Sequence, residues 1–276
     1  MAARAALRSL PADVPAFFRD AAEAIVWLGP EPDRWRRREL RAMDEAFAYD
    51  HYIDLENIPP AVRADGSPHR FAFLESLRDA GVDRPYRDVG LLPFRILELH
   101  QRLATSWARW HRTASAAERA FLEARIVDDA GILGHYVTDG SQPQHTTIHY
   151  NGWNAYRGAS VPNPEGFTED RRFHGRFEAA FVSAHVGALS VLERVPPRAR
   201  DLGDVDAVRR EVWDYLRTGN GQVETLYRLE KRHGFDPSVP PAPEALDFAE
   251  ARLAAGATML RDLWWTAYLQ GRDGLP

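Results

Sequence analysis

The sequence predicts an all-α fold in which many helices form one domain. Apolar residues recur at helical spacing along most of the 276 residues, and no alternating strand pattern of useful length interrupts them. No internal repeat is visible. Apolar residues make up 45% of the chain, which is enough for a sizeable core, and the length suits one large domain. We therefore expect residues 1–276 to fold as a single all-α domain.

Proline, glycine and capping residues delimit the expected helices. The first ends at Gly29 and Pro30, because proline cannot continue a helix. Ser115 is a good N-cap for the third, and Glu118 three residues later completes a capping box. The fifth contains a site for a break or kink at residues 218–221. The expected helices cover residues 15–28, 93–112, 115–138, 168–192, 205–233 and 243–271.

Two long connections, residues 56–68 and 151–166, have irregular sequences. Loops of this length in a compact domain are usually functional or disordered. These two contain Trp, Tyr and Pro rather than a bland polar composition, so we favour a functional role.

The composition excludes several classes of site. The chain has no cysteine, so it cannot form disulfides, thiolate zinc sites or a cysteine nucleophile. Any metal must be held by histidine and carboxylate. The formal net charge of −5 argues against a protein that coats duplex nucleic acid through a basic surface, although a cleft that holds a few nucleotides remains open. No apolar run is long enough to span a bilayer, and residues 1–29 do not read as a secretory signal.

The segment HYVTDGSQPQH, residues 135–145, has the spacing of a metal site. His135 and Asp139 are four residues apart near the end of a helix and therefore share one face. The helix is expected to end at Gly140, and Pro143 forces a turn that can bring His145 back toward the same point. Histidine and aspartate are ligand types that zinc prefers. Alone, such a pair is more often an ordinary surface pair.

A second segment, FHGRFEAAF, repeats the spacing with His174 and Glu178 among apolar neighbours. A buried carboxylate needs a partner, which a metal can supply; an ion pair on a half-buried face is the alternative. His51 stands in a third segment, AYDHYIDLENIPP, which is rich in acids. Upstream, Asp33 follows Pro32 and by itself would be interpreted as a helix N-cap.

Together these segments resemble the superfamily of zinc-dependent phospholipases C and single-strand-specific nucleases, the S-one/P-one nucleases among them. The pieces PDRW, HYIDLENIPP, GHYVTDGSQPQH, NGWN and HGRFE occur in the order of that family's pattern and span residues 33–178. The most specific parts are H-x3-D-x2-Q-P-x-H and H-x3-E. The resemblance implies the family's multi-helix fold, with long loops around a metal cleft.

The resemblance also implies a role for individual residues, as substrate-binding residues, as a catalytic residue and as ligands of two zinc ions. Tyr52 and Asp54 match the positions where the nucleases place a base-stacking aromatic and a carboxylate that hydrogen-bonds the base. Besides binding the first zinc ion, Asp33 would be the catalytic residue that orients the attacking water or takes its proton. Glu178 is closer to the phospholipases, because the nucleases often have Asp there. The first zinc would be held by Asp33, His51, His135 and Asp139, and the second by His145, His174 and Glu178.

One part of the family pattern is missing. The family's third zinc is held by an N-terminal Trp, a nearby His and the aspartate that Asp139 matches. This sequence begins with Met1, and its first histidine is His51. We interpret the difference as a start assigned too far downstream, with a signal peptide and the first ligands lost; a true two-zinc variant is the alternative.

The resemblance implies a zinc-dependent phosphodiester hydrolase that uses a metal-activated hydroxide. Single-stranded nucleic acid or nucleotides are the preferred substrate class, because stacking on Tyr52 would suit any base. One alternative is a phospholipase C acting on phospholipid head groups, with loop 151–166 contacting lipid. Another is a zinc-stabilised scaffold without turnover. No stable protein partner is implied, and members of the family are typically exported.

Overall fold

In the computed structural model the described residues, 1–153 and 161–274, form an all-α fold, which confirms the fold class predicted from the sequence. No strand occurs among these residues, and isolated bridges join Ile53 to Gly90 and Tyr150 to Gly152. None of the helices in these ranges has both the length and the apolar composition needed to cross a bilayer. Residues 154–160, in the middle of the predicted lipid-contact loop, lie outside the described residues.

The longest helices lie in the middle and at the C-terminal end of the chain. In chain order the α-helices are α1 (Ala2–Arg8), α2 (Ala16–Asp20), α3 (Ala22–Leu28), α4 (Glu31–Arg34), α5 (Arg41–Phe47), α6 (Arg70–Asp79), α7 (Pro85–Asp88), α8 (Leu92–Arg112), α9 (Ala116–Ser141), α10 (Phe173–Gly175), α11 (Val182–His185), α12 (Ala188–Glu193), α13 (Val205–Asn220), α14 (Val223–His233) and α15 (Pro243–Asp273). Short 3-10 helices cover Ala48–His51, Leu55–Asn57, Ala64–Gly66 and Pro143–His145, and a π-helix covers Arg176–Phe181.

Four of the predicted helices are present with small changes. Helices α8, α9 and α15 match their predicted ranges apart from their ends, and the fifth predicted helix divides into α13 and α14 within the expected stretch. Ser115 caps α9, since its Oγ accepts a hydrogen bond from the backbone N–H of Glu118 at 3.3 Å. The Glu118 carboxylate instead accepts hydrogen bonds from Thr113 and Arg109, so it does not complete the predicted capping box.

The two other predictions, each of one continuous helix, were wrong, because both stretches are interrupted. Residues 15–28 form α2 and α3 with a change of direction at Ala21, which lets Phe18 pack against Trp264 while α3 packs against α9. Residues 168–192 become helical only at α10, because the Asp170 carboxylate accepts the backbone N–H of Arg172 and holds a turn there. Tertiary packing and local side-chain bonds override helical periodicity at both places.

The core is built on α8, α9 and α15, which pack against one another. Trp107 of α8 lies among the rings of Phe17, Phe18 and Tyr268. Burial of these large apolar side chains is the main stabilising contribution to such an assembly. Helices α8 and α15 therefore support α9, whose C-terminal end carries His135 and Asp139.

Helix α9 crosses α13 at two glycines. A Cβ atom on Gly219 would lie 2.8 Å from the carbonyl oxygen of Gly140, and one on Gly140 would lie 2.8 Å from the side chain of Leu216. Helix α9 continues one residue beyond Gly140, its predicted end, to Ser141, and Gly140 lies at the helix crossing. The crossing fixes the last turn of α9, which carries Asp139.

His100 provides a test of how the core responds to acid. It is buried on α8, and its Nε2 lies 3.2 Å from Oε1 of Gln270 on α15. Burial lowers the pKa of His100 from 6.5 to about 4, because it outweighs the hydrogen bond from the ring to Gln270 Oε1, which raises that pKa. A depressed pKa means that the unfolded chain binds the proton more readily, so the associated stability is complete above pH 6.5 and is lost as the pH falls through 4.

We expect acidification from pH 7 to pH 4 to cost the wild type roughly 3 kcal/mol more in free energy of unfolding than His100→Gln, which does not titrate. Glutamine retains a donor for Gln270. Urea denaturation of both proteins at both pH values measures the difference, and all other titrating groups cancel in the comparison. Equal pH dependence in the two proteins would contradict the assignment of a neutral, buried His100.

Candidate metal centre

The structure brings the predicted ligands together from well-separated segments of the chain. Helix α4 contributes Asp33, the 3-10 helix Ala48–His51 contributes His51, and the end of α9 contributes His135 and Asp139. The 3-10 helix Pro143–His145 and the helical segment 173–181 contribute the remaining residues. They form two groups. One contains Asp33, His51 and His135, and the other contains His145, His174 and Glu178. Within each group the potential ligand atoms lie within 4.8 Å of one another.

Asp139 completes the first group. Its Oδ2 lies 3.1 Å from Nδ1 of His51 and 3.4 Å from Nε2 of His135, and these two ring nitrogens are 3.1 Å apart. Asp33 closes the group from outside, with its Oδ1 3.7 Å from His135 and 4.0 Å from His51. The Asp33 side chain is 67% exposed, whereas Asp139 is buried. The group is therefore open to solvent on the side of Asp33.

In the second group, backbone carbonyls orient both histidines. Nδ1 of His145 lies 2.6 Å from the carbonyl oxygen of His51, and Nδ1 of His174 lies 3.1 Å from that of Tyr150. Since a carbonyl only accepts, each Nδ1 carries a proton, and in the neutral ring Nε2 then has a free lone pair. Both Nε2 atoms face Oε2 of Glu178, at 3.2 Å from His145 and 2.5 Å from His174.

Backbone pairing connects the two groups. The N–H of Ile53 donates to the carbonyl of His145 at 2.9 Å, and the N–H of Leu55 donates to that of Thr146 at 3.4 Å. Together with the bond from His145 to the carbonyl of His51, these contacts hold residues 51–55 against residues 145–146. The two groups are thus parts of one rigid unit.

The electrostatics of the unit favour a cation. Burial alone would lower the pKa of His145, but the negative charges of Asp139 and Glu178 outweigh it and raise that pKa to about 10. Burial would raise the pKa of Asp139, yet the nearby histidines, His135 first among them, lower it overall. Two carboxylates are therefore ionised beside histidines, and positive charge is stabilised at both groups.

The geometry fits zinc. Zinc bound to nitrogen and oxygen at roughly 2.0–2.1 Å in a tetrahedron requires ligand atoms about 3.3 Å apart. Separations in the first group run from 3.1 to 4.0 Å. A histidine that binds metal usually donates its other N–H to a carbonyl or carboxylate, and His145 and His174 do so. The residues could therefore hold two metal ions, with Asp33, His51, His135 and Asp139 around one position and His145, His174 and Glu178 around the other.

The helix that carries Glu178 is irregular. His174 lies in α10, and the π-helix Arg176–Phe181 follows it directly. π-helical turns are rare and are frequent at functional sites. Here Phe177 and Phe181 are both buried against Phe235 while Glu178 faces the histidines. The π-helical segment thus places two phenylalanine rings in the core and a carboxylate at the candidate site.

A cavity of about 500 Å³ opens beside both groups. His51, His145 and His174 lie in its wall, so a molecule in the cavity would lie next to both groups. The volume falls within the range of roughly 300–1,000 Å³ typical of small-molecule sites. The rest of the wall is aromatic, basic and polar: Arg36, Ala48, Tyr49, Tyr52, Asp54, Arg87, Gln144 and Tyr150.

Tyr52 and Asp54, the predicted substrate-binding residues, both line this cavity. The Tyr52 hydroxyl donates to the backbone carbonyl of Arg87 at 2.6 Å, which fixes the ring. Asp54 is buried. Among the arginines beside Asp33, Arg36 alone lines this cavity, and its Nε also contacts Asp44 at 3.1 Å.

Glu56 is a structural part of the site that the sequence did not reveal. Its Oε1 accepts hydrogen bonds from Thr147 Oγ1 at 2.6 Å and Asn220 Nδ2 at 3.0 Å, and its Oε2 accepts from the N–H of Ile148 at 3.2 Å. Glu56 therefore anchors the chain just after His145 to α13. The only sequence signal was its place in an acid-rich segment, which does not distinguish it from Asp50. Asp50 is instead buried against Arg70 and Arg95.

We expect Glu56→Gln to weaken binding of the second zinc ion by about 10–100-fold, because it replaces an acceptor oxygen by an NH2 group among three donors. The mismatch should also cost about 1–3 kcal/mol of stability. Zinc titration against a chelator and urea denaturation measure the two effects. Glu45→Gln on α5, where the carboxylate is exposed and bound to Arg41, is the control and should change neither. Wild-type zinc affinity in Glu56→Gln would contradict the anchoring role.

Comparison with protein-family models, with curated proteins and with solved structures found no match for this chain. The functional argument therefore depends on the residues of the site and on the motifs of the sequence. Residues of four motifs form the two groups, and Tyr52 and Asp54 of the HYIDLENIPP motif line the cavity.

Proposed function

We propose that this chain is a zinc-dependent phosphodiester hydrolase of the phospholipase C/nuclease type that acts on single-stranded nucleic acid or nucleotides. The observation that carries the proposal is the pair of adjoining histidine–carboxylate groups, which border one cavity. Two neighbouring divalent ions are the usual device for hydrolysis of phosphate diesters. The order of the motifs along the chain is a second, independent support.

The zinc ions, when bound, supply Lewis acids for the phosphate oxygens and lower the pKa of a bound water to about 7. Asp33 is the residue placed to handle the proton of the attacking water, because it is the exposed carboxylate at the open side of the first group. Asp139 keeps a buried negative charge next to both groups. Arg36 and Arg87 border the cavity and would attract the phosphate.

The cavity wall favours nucleotides over lipids as substrates. Tyr52 offers a fixed ring for stacking, which accepts any base, and buried Asp54 offers a carboxylate to the edge of a base. A phospholipid would require an aliphatic surface for its acyl chains next to the site, and Ala48 is the one aliphatic residue of the described wall, whose other apolar groups are mainly tyrosine rings.

A phospholipase C activity is the second candidate. It is favoured by Glu178, since the phospholipase branch of the family resembles this chain at that position. The catalytic residues would be the same, so the two candidates differ only in the substrate that the cavity accepts.

Hydrolysis assays on the zinc-supplied protein test the proposal. We expect cleavage of a single-stranded oligonucleotide and of bis(4-nitrophenyl) phosphate, a diester without bases, and little cleavage of a short-chain phosphatidylcholine. Asp33→Asn should lower these rates by about 10²–10⁴-fold, as expected for loss of a general base. Glu39→Gln, at an exposed carboxylate in the connection that follows α4, is the control and should leave them unchanged. Zinc binding without cleavage of any diester would contradict the proposal and favour a zinc-stabilised scaffold.

A further inference from the structure

Helix α14 contacts each segment that carries a residue of the second group. It packs against the 3-10 helix Pro143–His145, and its Tyr227 ring lies edge-on to Phe173 at the start of the segment 173–181. Tyr227 and Glu230 are three residues apart on α14 and therefore share a face. Tyr227 is buried, and the Glu230 side chain is only 11% exposed. Both polar groups thus act inside the protein.

The Tyr227 hydroxyl fixes the backbone on both sides of Tyr150. It donates to the carbonyl of His149 at 2.6 Å and accepts the N–H of Gly152 at 3.1 Å. The carbonyl of Tyr150, between them, is the acceptor that orients the His174 ring. The acceptor behind a metal-binding histidine sets the direction of its ring. The hydroxyl therefore acts on His174 through this short stretch of backbone.

Glu230 holds the segment 173–181 through Arg176. The Arg176 guanidinium donates one N–H to Glu230 and another to Asp170, the latter at 2.6 Å. Arg176 is the first residue of the π-helix and stands two positions from both His174 and Glu178. A guanidinium fork held by two carboxylates has a defined orientation, which restricts the backbone that carries it. The position of Glu178 relative to the histidines therefore depends on α14.

The first group is built without these bonds. Its residues come from α4, the 3-10 helix Ala48–His51 and the end of α9. The hydrogen bonds of Tyr227 and Glu230 described above end at residues 149, 152 and 176, outside all three elements. A change in either side chain should thus act on the second group and spare the first.

We propose that Tyr227 and Glu230 are positioning residues for the second zinc ion, so that α14 sets the affinity of one ion and not of the other. The inference rests on the metal centre of the proposed function and adds residues that belong neither to its ligands nor to its cavity. Partners behind a ligand typically change metal affinity by about 10–100-fold, because they orient the ligand. The two residues act through different segments, the backbone at Tyr150 and the π-helix.

Zinc titration against a competing chelator tests the proposal. We expect Tyr227→Phe and Glu230→Gln each to weaken the second ion by about 10–100-fold and to leave the first ion unchanged. Phenylalanine keeps the ring against Phe173 and removes the hydroxyl, and glutamine keeps the shape of glutamate and removes its charge. Cobalt(II) in place of zinc gives a second readout, since its visible absorption changes with the coordination geometry of the ion.

His174→Ala provides a background that separates positioning from a loss of stability. This variant should retain only the first ion, and adding Tyr227→Phe to it should leave the affinity of that ion unchanged. A general weakening of the fold would lower that affinity as well. Glu230→Gln should have no further effect once Arg176 is replaced by Gln, because Glu230 acts through that guanidinium.

Glu224→Gln is the matched control on the same helix, since this carboxylate is exposed and pairs with Arg228 one turn later. It should bind both ions as wild type does. Three results would overturn the proposal: an unchanged second ion in Tyr227→Phe or in Glu230→Gln, an equal loss of both ions in these variants, or a wild type that binds no zinc. The expected zinc affinities without hydrolysis of any diester would instead contradict the proposed function and leave the positioning role standing.

Discussion

Replacing Asp139 by Asn is expected to lower the affinity of both zinc ions by more than the ~10–100-fold typical of residues that only support a ligand. Asp139 is a buried carboxylate in contact with His51 and His135, and its charge also acts on His145. Asparagine has nearly the same shape but no charge, so two adjacent dications would lose part of the negative charge that holds them. Phosphodiester hydrolysis should fall with metal content.

Zinc titration against a competing chelator measures the effect, with melting temperature and hydrolysis rate recorded in parallel. Asp214→Asn is the matched control, because this aspartate is exposed on α13 and contacts only the nearby Arg217 among the ion pairs of the described chain. An ordinary helix-end carboxylate would behave differently, since its removal relieves repulsion with the helix dipole. Unchanged zinc affinity together with a small gain in melting temperature would therefore exclude Asp139 as a ligand.

Replacing His145 by Ala is expected to remove one zinc ion and leave the other, so that metal content falls from about two ions per chain to about one. The first group has its own ligands and does not depend on the His145 ring for any of them. The variant also leaves the carbonyl of His51 without its hydrogen-bond donor, which should cost about 1–3 kcal/mol of stability.

His174→Ala separates the two consequences of that change. Its Nδ1 donates to Tyr150 rather than to His51, so this variant should also lose one ion but should not disturb the segment that carries His51. His233→Ala, at the end of α14, is the control and should retain both ions. Elemental analysis after gel filtration measures all three proteins. Loss of both ions from His174→Ala would show that the two groups do not bind metal separately.

Periodicity and capping residues were sufficient to predict the long helices, because these bury a regular apolar face in the core. They failed where a helix end or break depends on contacts between residues that are distant in the sequence. Nothing in residues 15–28 marks a break at Ala21, and the break exists so that Phe18 can reach Trp264. Gly140 looked like a helix end, but its role is to let α13 approach α9.

The sequence predicted which side chains lie together at the candidate site, but not which residues support them. His135, Asp139, His174 and Glu178 are paired at helical spacing, which a sequence displays directly. Glu56 acts through contacts with residues far along the chain, and no local pattern signals such contacts. Asp33 was placed by resemblance alone, and the structure sets it at the exposed edge of the first group.

The pairing of residues 51–55 with residues 145–146 also means that the candidate site requires two segments that are distant in the sequence. His145 and the carbonyl of His51 that orients it are 94 positions apart in the sequence. In a zinc finger, a short peptide contains every ligand and folds around the ion. Here an isolated HYVTDGSQPQH peptide could not reproduce the centre. It lacks His51, whose carbonyl orients His145, and His51 lies next to His145 only in the folded chain. Metal binding at the proposed centre would thus be a property of the assembled tertiary structure and not of a transferable motif.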